Sequence, residues 1–133
     1  ANEDGMSAQM LRANLIGFTF PAAAMDRMRA NGPVVSALAI PRRSGTLQIE
    51  YVHVSLAARG KGYGQALILQ HMEHATRSNT PEAQVQVFAH NISAISLYTK
   101  LGFEQKNTYV SQHPDALDLL PHSEKWLMER KLP

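Results

Sequence analysis

Gly60, Gly62 and Gly64 occupy alternate positions in the run Arg59-Gly60-Lys61-Gly62-Tyr63-Gly64. Glycine lets a backbone turn tightly and approach a ligand with no Cβ in the way. An apolar helical stretch follows from about Gln65. A helix start offers unpaired N–H groups and a partial positive charge. Together these make an anion site, most naturally for phosphate. Arg59 and Lys61 add positive charge at the same place. Just upstream, residues 47–54 form an apolar, β-branched run that contains Glu50 and His53. A carboxylate within such a strand is costly unless it is paired or used. Burial would raise its pKa toward neutrality, which suits a general base. A solvated patch or a pair with a nearby arginine is the structural alternative for Glu50. His53 is a second candidate on the opposite strand face, although a lone strand histidine is more often packed or exposed than catalytic.

Spacing narrows the phosphate ligand. A P-loop needs Gly-Lys-Ser/Thr, whereas Lys61 is followed by Gly62. A Gly-x-Gly-x-x-Gly/Ala dinucleotide fingerprint begun at Gly60 ends on Gln65, and one begun at Gly62 ends on Leu67. What remains is Arg-x-x-Gly-x-Gly on Arg59, Gly62 and Gly64, between a strand and a helix.

These groups need elements to position them. Pro21 suits the first turn of a helix over 22–30, with Gly32 as its stop. Met6, Met10, Leu11 and Leu15 fit a helical stripe before it, and 15–20 has strand character as an alternative. Residues 34–40 (VVSALAI) predict a strand, turning through 41–45 into an antiparallel partner at 47–54. Alternation then places Glu50, Val52 and Val54 on one face, and Ile49, Tyr51 and His53 on the other. A packed helix is expected over 64–77 and a strand over 83–89. His71 and His74 in that helix lack a third ligand and read as a solvated face. Ala94, Leu97, Tyr98 and Leu101 repeat at i, i+3, i+4, i+7, with Asn91 or Ser93 as cap and Gly102 as a left-handed stop. Strands are expected at 106–111 and 125–132, around a loop at 113–122 with one helical turn.

Val87 to Phe103 resembles the second signature of the GNAT superfamily of N-acetyltransferases: a strand, Asn-x-x-Ala-x-x-Leu-Tyr, then Leu-Gly-Phe. Asn91, Ala94, Leu97, Tyr98, Leu101, Gly102 and Phe103 stand in register. The Arg59–Gly64 loop is similar to the same superfamily's acetyl-coenzyme A pyrophosphate loop. Two signatures in the right order are far more specific than either alone. The resemblance covers roughly 34–103.

The resemblance implies an α/β fold: a mixed, mostly antiparallel sheet flanked by helices, splayed where the coenzyme binds, in one N-acetyltransferase domain over 6–133 with core motifs at 47–103. It implies that Val52, His53 and Val54 offer backbone to the pantetheine arm. The pyrophosphate would sit on the amides of Arg59, Gly60, Lys61, Gly62, Tyr63, Gly64 and Gln65. Asn91 would contact the arm. Tyr98, otherwise a core tyrosine, would be the general acid opposite Glu50, with a backbone N–H near Val54 for the oxyanion. The implied cosubstrate is acetyl-CoA with no metal, and the implied partner is a small-molecule or peptide amine. The alternative is a non-catalytic acyl-CoA-binding or protein-interaction module, which needs the loop but neither Glu50 nor Tyr98. The closing strands make Tyr109 and Trp126 candidates for lining the acceptor pocket. The thirty or so residues before 34 are few for the superfamily's usual opening strand, two helices and two strands. An absent or degenerate N-terminal strand is expected, and a homodimer could lend the missing element.

Composition fits this frame. Hydrophobic residues make up 44% and charged residues 18% of 133, an ordinary globular balance. The absence of cysteine excludes a disulfide framework, a zinc knuckle and a cysteine nucleophile. A formal charge of +2 with no long basic run argues against nucleic acid. No stretch has the length of a membrane span, and no secretory start is visible, so a cytoplasmic chain is expected. Residues 1–5 read as a disordered or expression-derived end.

Overall fold

The structure is a computed structural model and describes residues 8–133. The expectations for 1–5 and for Met6 lie outside the described residues. The element order is α1 (Ala8–Thr19), α2 (Ala22–Ser36), β1 (Leu47–Ile49), α3 (Tyr63–Arg77), β2 (Glu82–Phe88), α4 (Ile92–Lys100), β3 (Glu104–Val110), α5 (Ala116–Leu119) and β4 (Glu124–Lys131). A short 3-10 turn, Leu56–Ala58, lies between β1 and α3.

The strands form one four-stranded sheet in the order β1-β2-β4-β3. β1 runs parallel to β2, and the other two pairings are antiparallel. Ala83, Val85 and Val87 alternate along β2 onto one face, and Met128 of β4 lies opposite Val85. This face meets Ile68 and Met72 of α3, with Phe103 at the end of α4, in the main core. Ile68, Met72 and Ala75 stand four and three residues apart, so one stripe of α3 is buried. On the other face, Lys125 donates to the Leu38 carbonyl at 3.1 Å and Gln86 to that of Ile40 at 3.4 Å. The chain leaving α2 is thereby tied to that side of the sheet.

Two sequence expectations fail in the first half. Residues 34–40 are not a strand: α2 continues through Gly32 and Pro33 to Ser36, and turns carry on to Ala39. Val34 and Leu38 are four apart and both buried, so a helical period serves their burial better than alternation. The antiparallel hairpin with 47–54 is therefore absent. The strand expected over 47–54 is only Leu47–Ile49. Tyr51 takes a positive φ of 56°, which breaks the predicted alternation of faces. A strand needs a neighbour, and among the described residues none precedes β1 in sequence.

The second half follows expectation. α4 opens with Asn91 Oδ1 accepting from the Ala94 N–H at 3.3 Å. It closes in a Schellman motif, with Gly102 N–H to Thr99 O at 3.0 Å and Phe103 N–H to Tyr98 O at 2.9 Å. Gly102 has φ 83°, and a Cβ there would sit 3.4 Å from Arg130 Nε. No helix among the described residues is long and apolar enough to cross a membrane.

Candidate active site

The β1–β2 ladder ends at the pair Ile49–Val85, although β2 continues to Phe88. Residues 50–54 carry on without a strand partner. The parallel strands thus part, leaving backbone groups of 52–54 unclaimed by the sheet. Arg59 Nε donates to the Val54 carbonyl at 3.0 Å and ties the loop to the end of this segment.

The loop then turns through left-handed Gly60 (φ 76°) and Gly62 (φ 80°). Both conformations favour glycine. Gly62 is the N-cap of α3, and no side chain caps that end. The first N–H groups of a helix have no partner within it, and Ala66 N–H to Gly62 O at 3.0 Å is where the α3 ladder begins. Gly64 lies close to the parted strand: a Cβ there would be 3.5 Å from Val54 Cγ2.

These parts enclose a cleft of about 520 Å³. Val52, His53 and Val54 form one wall, and the loop from Arg59 through Gln65 forms another, without Lys61. Asn91 and Tyr98 of the α4 segment complete it. Asn91 spends Oδ1 on the Ala94 N–H and the Ser93 hydroxyl. Among the described residues its Nδ2 has no partner. Tyr98 is half-buried, and its hydroxyl makes no hydrogen bond among the described residues. Desolvation raises its pKa above the ordinary 10.0. The uncapped helix start and the unclaimed backbone fit a ligand with an anionic head and an amide-bearing arm.

Glu50 lies elsewhere. It borders a second, larger cleft of about 900 Å³ together with Arg12, Arg42, Tyr51, Gln86 and Lys125. Arg42 Nη2 contacts Glu50 Oε1 at 2.8 Å and Oε2 at 2.7 Å. The segment 50–54 borders both clefts, Glu50 and Tyr51 on one and Val52 to Val54 on the other.

A sequence model described as the acetyltransferase (GNAT) family matches residues 14–103, more than half of the chain. The chain belongs to the GNAT acetyltransferase family.

Solved GNAT folds are similar to it. The ribosomal-protein-S18-alanine N-acetyltransferase from Escherichia coli is 19% identical with a TM-score of 0.57, over 68% of this chain and 56% of that one. Ard1 from Thermoplasma volcanium is 24% identical with a TM-score of 0.59, over 69% and 59%. A Bacillus subtilis acetyltransferase in complex with CoA is 20% identical with a TM-score of 0.58, over 71% and 66%. At these identities the likeness establishes the fold. The alignments span under two thirds of these relatives' own lengths. No curated protein matches the chain.

Within this GNAT fold, the structure brings together every sequence-derived coenzyme residue except Lys61. It also brings Tyr98 to them, and it sets Glu50 in the neighbouring cleft. His71 and His74 are exposed on α3. Trp126 packs against the main core and donates to Glu124 Oε1 at 2.7 Å. Neither Trp126 nor Tyr109 lines the Glu50 cleft. Alternation explains this for Trp126, since Lys125 and Leu127 turn to that side of β4 and Trp126 to the other; Tyr109 is paired with Lys125 but stands on β3, the edge strand farthest from β1. Sequence reasoning missed Arg12 and Lys125. They lie at opposite ends of the chain, and no local pattern joins them.

Proposed function

We propose that this protein is an N-acetyltransferase that moves an acetyl group from acetyl-CoA to an amine by direct attack. The observation that carries the reading is the parting of β1 and β2 beyond Ile49–Val85, beside the uncapped start of α3. Acetyl-CoA, when bound, supplies an acetyl thioester. The N–H groups of Tyr63, Gly64 and Gln65, with the Gly60–Gly62 turn, hold its pyrophosphate. Arg59 stands at the loop base, its Nε on Val54, and Lys61 adds charge from the loop. Backbone groups of Val52, His53 and Val54 bond the arm, and Asn91 donates to it through Nδ2.

Tyr98 gives its proton to the departing sulfur. Its raised pKa keeps that proton in place at neutral pH. Glu50 takes the proton of the acceptor ammonium through water. It faces the second cleft, which shares the segment 50–54 with the first, so direct attack requires the amine to reach the thioester past the edge of that segment. A backbone N–H near Val54 steadies the oxyanion. Most of the rate comes from holding two substrates in line.

The Arg42 contact with both Glu50 oxygens favours a second reading, a binding module in which Glu50 is structural. Turnover separates the two. Acetyl-CoA-dependent thiol release that needs an amine, with the acetylated amine seen by mass spectrometry, supports the enzyme. Saturable acetyl-CoA binding with no acetylated product from a broad amine panel would establish the module.

A further inference from the structure

The cleft that contains Glu50 is lined by more positive than negative charge. Arg12, Arg42 and Lys125 border it against the one carboxylate of Glu50. Arg42 is spent in part on Glu50, through Nη2 alone. Its Nε and Nη1 have no partner among the described residues. The Arg12 guanidinium carbon lies 4.8 Å from the centre of the Tyr51 ring. Lys125 lies 5.2 Å from the centre of the Phe88 ring and makes one hydrogen bond, to the Leu38 carbonyl. Arg12 has no ion-pair partner among the described residues, and Lys125 makes no ion-pair contact among them, although the charge of Glu50 acts on it. A half-buried lysine with one hydrogen bond keeps two N–H donors for a ligand.

We propose that the acceptor is an amine bearing a carboxylate on the same small skeleton, an amino acid by class, held by Arg12, Arg42 and Lys125. This rests on the transferase reading above. A simple ammonium or a polyamine would meet net repulsion in the cleft, whereas a carboxylate finds unspent donors with planar or point charge. The surrounding cations also favour the neutral form of the bound amine, which is the form that attacks. Glu50, beside them, takes the proton.

The test is thiol release from acetyl-CoA with matched acceptors: L-alanine, L-aspartate and L-glutamate against L-alaninamide, ethylamine, spermidine and a tetrapeptide starting with Asp. The expected kcat/KM for L-alanine exceeds that for L-alaninamide by roughly ten-fold or more, the scale of one charge-assisted contact. R12Q, a change at an exposed helix position, lowers that ratio several-fold. Equal or better turnover of carboxylate-free amines would overturn this inference and leave acetyl transfer standing. Preference for the peptide over every free amino acid would overturn it in favour of a protein acceptor. Failure of a cooperatively folded protein to acetylate any amine would overturn the transferase reading and this inference together.

Discussion

Phe103 holds Tyr98 twice. Its N–H donates to the Tyr98 carbonyl at 2.9 Å, and its ring meets the Tyr98 ring edge-on, centroids 5.8 Å apart at 62°. Phe103 is only 2% exposed, so the end of α4 and the proposed acid are fixed by a core residue. F103A removes a buried ring and is expected to cost about 3–5 kcal/mol. F103L keeps the backbone bond and most of the volume and is expected to cost less. Urea unfolding measures both. F103L should also lower turnover more than acetyl-CoA affinity, because the ring contact with Tyr98 is lost.

Y98F deletes a hydroxyl that bonds to no described residue. Its expected effect is a fall of about 10²–10⁴ in turnover, with stability changed little. The pH dependence follows from the sign of the shift. Tyr98 is raised above 10.0 by desolvation. Its protonated form therefore persists through neutral pH, and the alkaline loss of activity due to Tyr98 lies above pH 10. The stability it confers is complete below the unfolded value and is lost as pH rises through the folded one. Y98F should remove that alkaline destabilisation, as read by thermal unfolding from neutral pH to above 10.

Glu50 separates the two functional readings. Its side chain and that of Arg42 are 31% and 37% exposed, so the pair contributes at most about 1 kcal/mol to stability. E50Q is expected to lose about 10²–10⁴ in turnover at nearly unchanged unfolding. R42Q, which breaks the same pair but keeps the carboxylate, should raise the acceptor KM and retain far more kcat. Equal losses of kcat at saturating acceptor in the two variants would make the pair structural and remove Glu50 from the base role.

G62A places a Cβ at φ 80°. Left-handed backbone costs a non-glycine residue about 1–2 kcal/mol, and the loop amides would shift with it. The expected result is a modest loss of stability and a larger loss of acetyl-CoA affinity. G32A is the control, since Gly32 has ordinary helical geometry and open space for a Cβ. It should leave coenzyme affinity unchanged.

The second half of the fold was legible because its signals are local. The Asn91 cap, the repeat through Leu101 and the left-handed Gly102 specify α4 and its end within a dozen or so residues. The cleft between 52–54, the glycine loop and α4 was legible for the same reason, since two local motifs supply nearly all of its lining. The first half was not. Val34 and Leu38 fit alternation and helical spacing alike, and tertiary burial decides between them. The length of β1 depends on neighbours, not on its own residues. The Glu50 cleft joins α1, α2 and β4, so Arg12 and Lys125 meet only once the chain is folded.

Thermal unfolding with acetyl-CoA, free CoA and ATP reads the proposed coenzyme cleft itself. A ligand bound only by the native state raises its stability, by about 2.7 kcal/mol at a hundred times its dissociation constant. That corresponds to a rise of several degrees in a domain of this size. Such a rise is expected with acetyl-CoA and with CoA, a much smaller one with ATP, and a diminished one in G62A. No rise with either coenzyme form at millimolar concentration would contradict the assignment of the cleft between 52–54, the glycine loop and α4.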